Sequence, residues 1–285
     1  MWISDKWKDY ELLDCSDGER LERWGKYILI RPDPQVIWKT ERRRREWTHA
    51  DGVYTRSERG GGSWRGKLPE GWEISYGALR FGLHPMGFKH TGLFPEQAVN
   101  WDRMRELIRG RSRTVSVLNL FAYTGGATAA CADAGAAVCH VDASKGMVAQ
   151  AKENLRLSGL GDAHVRYIVD DCKKFVQREI RRGNKYDAVI MDPPSYGRGP
   201  SGEVWKLEDS IHEFIALSAK LLSDDPLFFL VNSYTTGLSP LTMEYILRAE
   251  IAKERGGHLE SGELSLPVTE TKGALPCGAS AWWTI

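Results

Sequence analysis

From about residue 115 onward, short apolar runs alternate with longer stretches in which apolar residues recur three and four apart. Such alternation is the pattern of a parallel sheet with crossover helices, because neighbouring parallel strands need a connection long enough to bring the chain back to the same edge. The runs "VSVLNLF", "AAVCHVD", "HVRYIV", "YDAVIMD" and "PLFFLVN" read as strands. Helices are expected at about 126–134, 145–158, 173–182 and 207–222. After the fifth strand come a helical stretch, "LTMEYILRAEIAK", and two runs, "HLESGELSL" and "ASAWWTI", that read as a closing antiparallel pair. A seven-strand ending of that kind points away from an ordinary dinucleotide-binding domain.

Residues 1–88 have a different texture, with many tryptophans, Pro and Gly punctuation, and short alternating runs such as "YILIRPDPQVIW" and "GWEISYGALRFGL". A small β-rich domain is expected there, followed by an α/β domain over 89–285. Two stretches in the first part are basic: "WKTERRRREW", and "RSERGGGSWRGK", where Arg56, Arg59, Arg65 and Lys67 flank a glycine run. Interleaved with Trp38, Trp47 and Trp64, these cations suit phosphates and stacked bases. The competing reading makes the arginines a solvated face and the tryptophans a small core. Sequence alone leaves both open.

The chain has 285 residues and a net charge of +1, which neither demands nor excludes a nucleic-acid partner, since binding depends on where the charge lies. Its five cysteines, Cys15, Cys131, Cys139, Cys172 and Cys277, are odd in number and scattered, as expected of reduced thiols in a cytosol. Charges in "MWISDKWKDY" leave no apolar core for a signal peptide, and no run approaches membrane-spanning length, so a cytoplasmic protein is expected. The seven histidines form no metal-binding pattern, and no metal is expected.

"VLNLFAYTGGATAACADAGAAVCHVD" is a strand, a glycine turn, a helix of small residues and a second strand ending in Asp142. Gly125 and Gly126 let a ligand lie close to the backbone at a helix N-terminus, and a carboxylate at the tip of the second strand can accept both hydroxyls of a ribose. The loop lacks both G-x-G-x-x-G and the Lys of a P-loop, so it suits a ribose ligand without a phosphate; S-adenosylmethionine is the common one. Asp170 and Asp171 end the third strand, where a carboxylate can accept from an adenine amino group or cap the following helix.

At the end of the fourth strand stands "DPPSY". Asp192 can accept from an amino group, the Pro193 carbonyl can take a further hydrogen bond, and Tyr196 can stack on a planar base. Pro193 and Pro194 fix φ and lack N–H donors, so the turn is a rigid ledge.

With these motifs the sequence resembles class I S-adenosylmethionine-dependent methyltransferases, and among them the 23S ribosomal RNA base methyltransferases that include the cytosine-C5 enzymes. The resemblance covers about 89–232. It implies a Rossmann-like seven-stranded sheet, S-adenosylmethionine as donor and RNA, ribosomal in particular, as partner. "KHTGLFPEQAVNW" looks like the group's Lys-Thr-Gly segment, and by that match Thr91, Gly92, Phe94 and Gln97 would close over the donor. Likewise Phe121, Tyr123 and Gly125 would face the donor, Asp142 with Ala143 would hold the ribose, and Asp171 with Cys172 the adenine. Asp192, Pro193, Pro194 and Tyr196 would form the acceptor motif, with Asp192 also touching the donor and Asn232 and Ser233 bordering the pocket.

One departure changes the expected chemistry. Methylating cytosine C5 needs a thiolate to attack C6, yet the places where the family carries it read "LVNSYTTG" and "DPPSYGRG". Direct transfer to nitrogen is therefore expected, with Cys277 the one cysteine left to rescue carbon chemistry. A methyltransferase of a small molecule or protein amine, and a protein that binds the donor without turnover, are the alternatives.

Overall fold

The computed structural model describes residues 1–57, 61–87, 89–198, 204–235 and 237–285, so Arg59 lies outside the described residues. By contacts the chain divides into two compact units, one of Asn100–Glu263 and Gly278–Ile285 with Met1, the other of Trp2–Val99 and Leu264–Cys277. This division does not coincide with the expected one at residue 88.

In the first unit the strands are β1 (Ser116–Leu120), β2 (Ala137–Asp142), β3 (Val165–Val169), β4 (Ala188–Met191), β5 (Phe228–Ser233), β6 (His258–Pro267) and β7 (Ala274–Thr284), the last two continuing into the other unit. Their order is β6-β7-β5-β4-β1-β2-β3. The first five run parallel, and β7 enters antiparallel to β5. β4 and β5 are buried at every position, which is why they read as unbroken apolar runs rather than alternating ones.

Helices α1 (Ala98–Arg109), α2 (Gly126–Asp133), α3 (Lys145–Leu157), α4 (Cys172–Arg182), α5 (Leu207–Ala219) and α6 (Pro240–Leu247) complete the α/β pattern. Side-chain caps start three of them: Ser144 on α3, Asp171 on α4, and Ser239 on α6, which also has Pro240 in its first turn. Two features depart from the sequence reading. α1 was not expected, although Ala98, Trp101, Met104 and Ile108, all buried, carry its periodicity. The stretch expected as one helix over 241–253 is interrupted by a π-helical turn at Arg248–Ala252.

The second unit is β-rich, as expected. A five-stranded sheet runs Tyr10–Ser16, Glu19–Trp24, Tyr27–Pro32, Gly52–Arg56, Gly62–Gly66, beside a hairpin of Trp72–Tyr76 and Leu79–Leu83. Leu264–Cys277 joins this unit, pairing Leu264 with Trp2 and Val268 with Leu12. The tryptophans of the basic stretches are tied into the unit: Trp47 is buried and donates to Asp14, Trp38 donates to the Cys15 carbonyl and Trp64 to that of Met86. Carboxylates answer most of the cations in "WKTERRRREW": Lys39 pairs with Asp17, Arg42 with Glu19, Arg43 with Glu41, and Arg44 with Glu46 and Glu270. That stretch has the features of the structural reading, whereas Arg56, Arg65 and Lys67 are exposed and pair with no carboxylate among the described residues.

Candidate functional site

Parallel register brings the strand ends to one edge. Leu120 of β1 is level with Val141 of β2 on one side and Met191 of β4 on the other, and Met191 with Val231 of β5. The residues that follow, Phe121, Asp142 and Asp192, therefore emerge side by side, with Asp170 and Asp171 beyond Val169, the partner of Asp142.

The loop after β1 is conformationally unusual. Phe121 and Tyr123 are left-handed, at φ 54° and 50°, a region costly for residues with side chains. Three bonds hold it: Tyr123 N–H donates to Asp142 Oδ2 at 2.9 Å, Ala122 N–H to the Val141 carbonyl at 3.0 Å, and Phe121 N–H to Cys172 Sγ at 3.3 Å. At Gly125, φ is +82° and a Cβ would come within 2.8 Å of the Ala151 Cβ. A Cβ on Gly126 would come within 2.6 Å of the Trp101 ring. Bareness here is also a packing requirement, beside the ligand approach expected from the sequence. Behind the loop, Asn119 donates to Thr128 Oγ1, which meets His140 Nδ1, each at 2.9 Å. Burial lowers the His140 pKa to about 4, so the ring is neutral.

Asp142 accepts the N–H of Ser144 on Oδ1 at 2.8 Å and that of Tyr123 on Oδ2, with Ala143 between it and that serine. Each oxygen keeps a lone-pair direction for a hydroxyl donor. Burial raises the Asp142 pKa, and these two bonds oppose the rise. Asp171 takes the capping role on α4, accepting from Lys174 N–H at 2.8 Å, while Asp170 pairs with Arg178. Cys172, the first residue of α4, is buried in the apolar core, and burial drives its thiol pKa far up.

Across β1 from Asp142 lies the turn that begins at Asp192. Asp192 is half-buried, Pro193 buried, and Tyr196 exposed at 52%. The chain does not become a loop after the prolines: Tyr196–Arg198 pairs antiparallel with Val204–Lys206, Tyr196 opposite Lys206. Trp205 of this ribbon donates its indole N–H to the Pro194 carbonyl at 2.7 Å. Its ring centroid lies 5.6 Å from that of Phe121 and 5.7 Å from that of Phe214. Thr235, after β5, donates to Ser195 Oγ at 2.7 Å.

Asn232 and Ser233, expected to border the pocket, are buried. Asn232 Oδ1 accepts from Ser280 at 2.6 Å and from Asn100 at 3.2 Å, and Asn100 Oδ1 accepts from Trp282 at 3.2 Å, a network joining α1, β5 and β7. Thr91, Gly92, Phe94 and Gln97 belong to the second unit. There Gly92 has φ +104°, Phe94 meets the His90 ring edge-on, and Gln97 is buried in the turn Pro95–Gln97. Thr91 is wholly buried, and its hydroxyl has no partner among the described residues. Cys277 is also buried there, and burial followed by Glu96 raises its pKa.

Trp205, Trp101, Asn100 and His140 escaped the sequence reading. Only Trp101 left a signal, its place in the periodicity of α1. No helix among the described residues is long and apolar enough to cross a membrane, and among them no group of His, Cys, Asp or Glu is gathered as metal ligands.

A family model described as S-adenosylmethionine-dependent methyltransferase matches residues 54–223. A crystal structure of an SAM-dependent methyltransferase from Agrobacterium tumefaciens is 38% identical, with a TM-score of 0.91 over 97% of this chain and 90% of that one. A structure described as a methyltransferase complexed with SAH is 21% identical at a TM-score of 0.72, covering 98% of this chain and 76% of that one; the likeness is one of fold. Ribosomal RNA large subunit methyltransferase K/L of Shewanella frigidimarina is 35% identical over 150 residues, 52% of this chain. This chain spans 20% of that relative's length.

Proposed function

The chain belongs to the family of S-adenosylmethionine-dependent methyltransferases, and on that premise we propose that it methylates a base of RNA, ribosomal RNA in particular, by direct transfer to a nitrogen. S-adenosylmethionine, when bound, supplies a methyl group on an electrophilic sulfonium. Asp142 accepts the ribose hydroxyls on the lone pairs its two backbone donors leave open. Asp171, beside the N–H of Cys172, meets the adenine edge. The residues fit this donor: the left-handed loop of Phe121 and Tyr123 is held by bonds to Asp142 and Cys172, so the donor site is organised before ligand arrives.

Opposite, Asp192 accepts an N–H of the acceptor base, which directs the nitrogen lone pair toward the methyl group and stabilises the proton's departure. Tyr196 stacks on the base, and Pro193 and Pro194 keep the ledge from relaxing. The observation that carries the nitrogen assignment is the state of the thiols. All five cysteines are buried, and burial raises the pKa of Cys131, Cys172 and Cys277 well above neutrality, which opposes the thiolate that carbon methylation needs. The RNA assignment rests on the ribosomal RNA methyltransferases the chain resembles. The compensated arginine run favours a second reading, a small-molecule or protein-amine acceptor.

Incubation with methyl-labelled donor and total RNA from cells lacking the gene, followed by mass spectrometry of the nucleosides, tests this. An N-methylated nucleoside is expected. 5-Methylcytidine would overturn the nitrogen assignment, and label confined to protein or small molecules the RNA assignment.

A further inference from the structure

In the second unit Arg20 and Arg31 pair with the carboxylates of Glu22 and Asp33. Glu22, wholly buried, accepts Nε and Nη2 of Arg31 at 2.6 and 2.7 Å. Arg20 Nε lies 3.4 Å from Asp33 and 3.8 Å from Glu22. The third arm of Arg31 donates to the Lys89 carbonyl at 2.9 Å, tying the Lys89–His90 segment to the buried pair.

Lys89 is half-buried, and among the described residues its ammonium meets only the Pro32 carbonyl, at 3.2 Å. Arg56, exposed at the end of the strand Gly52–Arg56, acts electrostatically on both Lys89 and His90 and has no carboxylate partner among the described residues. Burial, then Arg31, Lys89, Arg20 and Arg56, lower the His90 pKa to about 4, so it adds no charge at neutral pH. Burial, then Arg20, Arg31 and Arg56, against Asp33, lower that of Lys89 to about 8. A half-buried ammonium that pairs with no carboxylate among the described residues, Asp33 acting on it only through its field, carries a desolvation cost that a bound anion offsets.

We propose that Lys89 is a binding site for a phosphate of a nucleic-acid strand. Its half-buried ammonium, held at the Pro32 carbonyl, offers a seat for one phosphate, and the exposed Arg56 adds positive field that favours an extended polyanion. The exposed arginine run contributes little, because its charges are already answered by Glu19, Glu41, Glu46 and Glu270. The site rests on the reading of the acceptor as RNA.

The test is fluorescence anisotropy of a labelled ten-nucleotide single-stranded RNA across salt concentrations, with donor affinity measured by calorimetry. K89Q weakens RNA binding by about five- to tenfold and reduces the salt slope by about 0.7, the release expected from one phosphate contact on a single strand. R43Q leaves both unchanged. Wild-type affinity falls as pH rises above about 8, where Lys89 loses its proton, and K89R, which keeps its charge, binds without that dependence. Equal binding and slope for wild type and K89Q would overturn the site and leave the RNA reading standing. No RNA binding by the wild type would overturn both. Weakened donor affinity in K89Q with RNA binding unchanged would reassign Lys89 to the donor's carboxylate and also overturn the proposal.

Discussion

The indole N–H of Trp205 donates to the carbonyl of Pro194 at 2.7 Å, while the same ring, tilted 48°, packs with its centroid 5.6 Å from that of Phe121. One side chain thus ties the turn after β4, the proposed acceptor ledge, to the loop after β1, the proposed donor loop. W205F keeps an aromatic ring against Phe121 and Phe214 but loses the hydrogen bond, worth about 1 kcal/mol. Turnover is expected to fall about fivefold with donor affinity nearly unchanged. W205A is expected to weaken donor binding as well. Comparing calorimetric affinity with single-turnover rates separates the two effects, and equal losses of both in W205F would break the assigned division.

D142A removes the acceptor of the Tyr123 and Ser144 backbone N–H groups and the proposed ribose contact together. Donor binding should vanish in calorimetry. Wild-type affinity in this variant would remove Asp142 from the donor site.

D192A should act on the other partner. Donor affinity is expected to stay within about twofold while transfer falls by two or more orders of magnitude, the usual range for losing an acid–base group. Retained turnover would reduce "DPPSY" to a strand-ending turn.

G126A places a Cβ 2.6 Å from the Trp101 ring, so the buried indole must move. Overpacking of this kind costs about 1–3 kcal/mol. A drop in thermal midpoint is expected, and W101F, whose smaller ring lacks the Cζ2 and Cη2 atoms that meet this Cβ, should recover part of it. An unchanged midpoint would show that helix α2 shifts without cost.

Glu22 governs the acid limit of the second unit. Burial raises its pKa, but Arg31 and Arg20 outweigh burial and bring it to about 2, below its ordinary value of 4.5. A carboxylate depressed by folding stabilises the native state above its unfolded pKa, and that contribution is lost as pH falls from about 4.5 through 2. Urea titrations should show falling stability across that window. E22Q should remove most of the dependence and cost about 3–5 kcal/mol at neutral pH, since Arg31 is left buried without its partner.

Much of the first unit was legible beforehand because its signals are local. Strand runs at β1 to β5, the glycine turn before α2, and acids at strand ends all follow from periodicity and turn chemistry within a few residues. Even the competing roles of Asp170 and Asp171 were visible, though the choice of Asp171 as the α4 cap was not. α1 was not expected, although Ala98, Trp101, Met104 and Ile108 carry a 3.6-residue period between polar neighbours.

What the sequence determined by itself is the order of strands and helices and the set of polar groups delivered to one sheet edge, since a parallel sheet places every strand end together whatever else the chain does. Tertiary structure alone decided which charges are spent and which remain available. Arg44 finds Glu270 across more than two hundred residues, Asn232 turns inward to Asn100 and Ser280, Trp205 folds back on Pro194, and Lys89 is left with a carbonyl. Such pairings depend on residues distant in the chain, and no local pattern encodes a partner that only the packed fold brings within hydrogen-bonding distance.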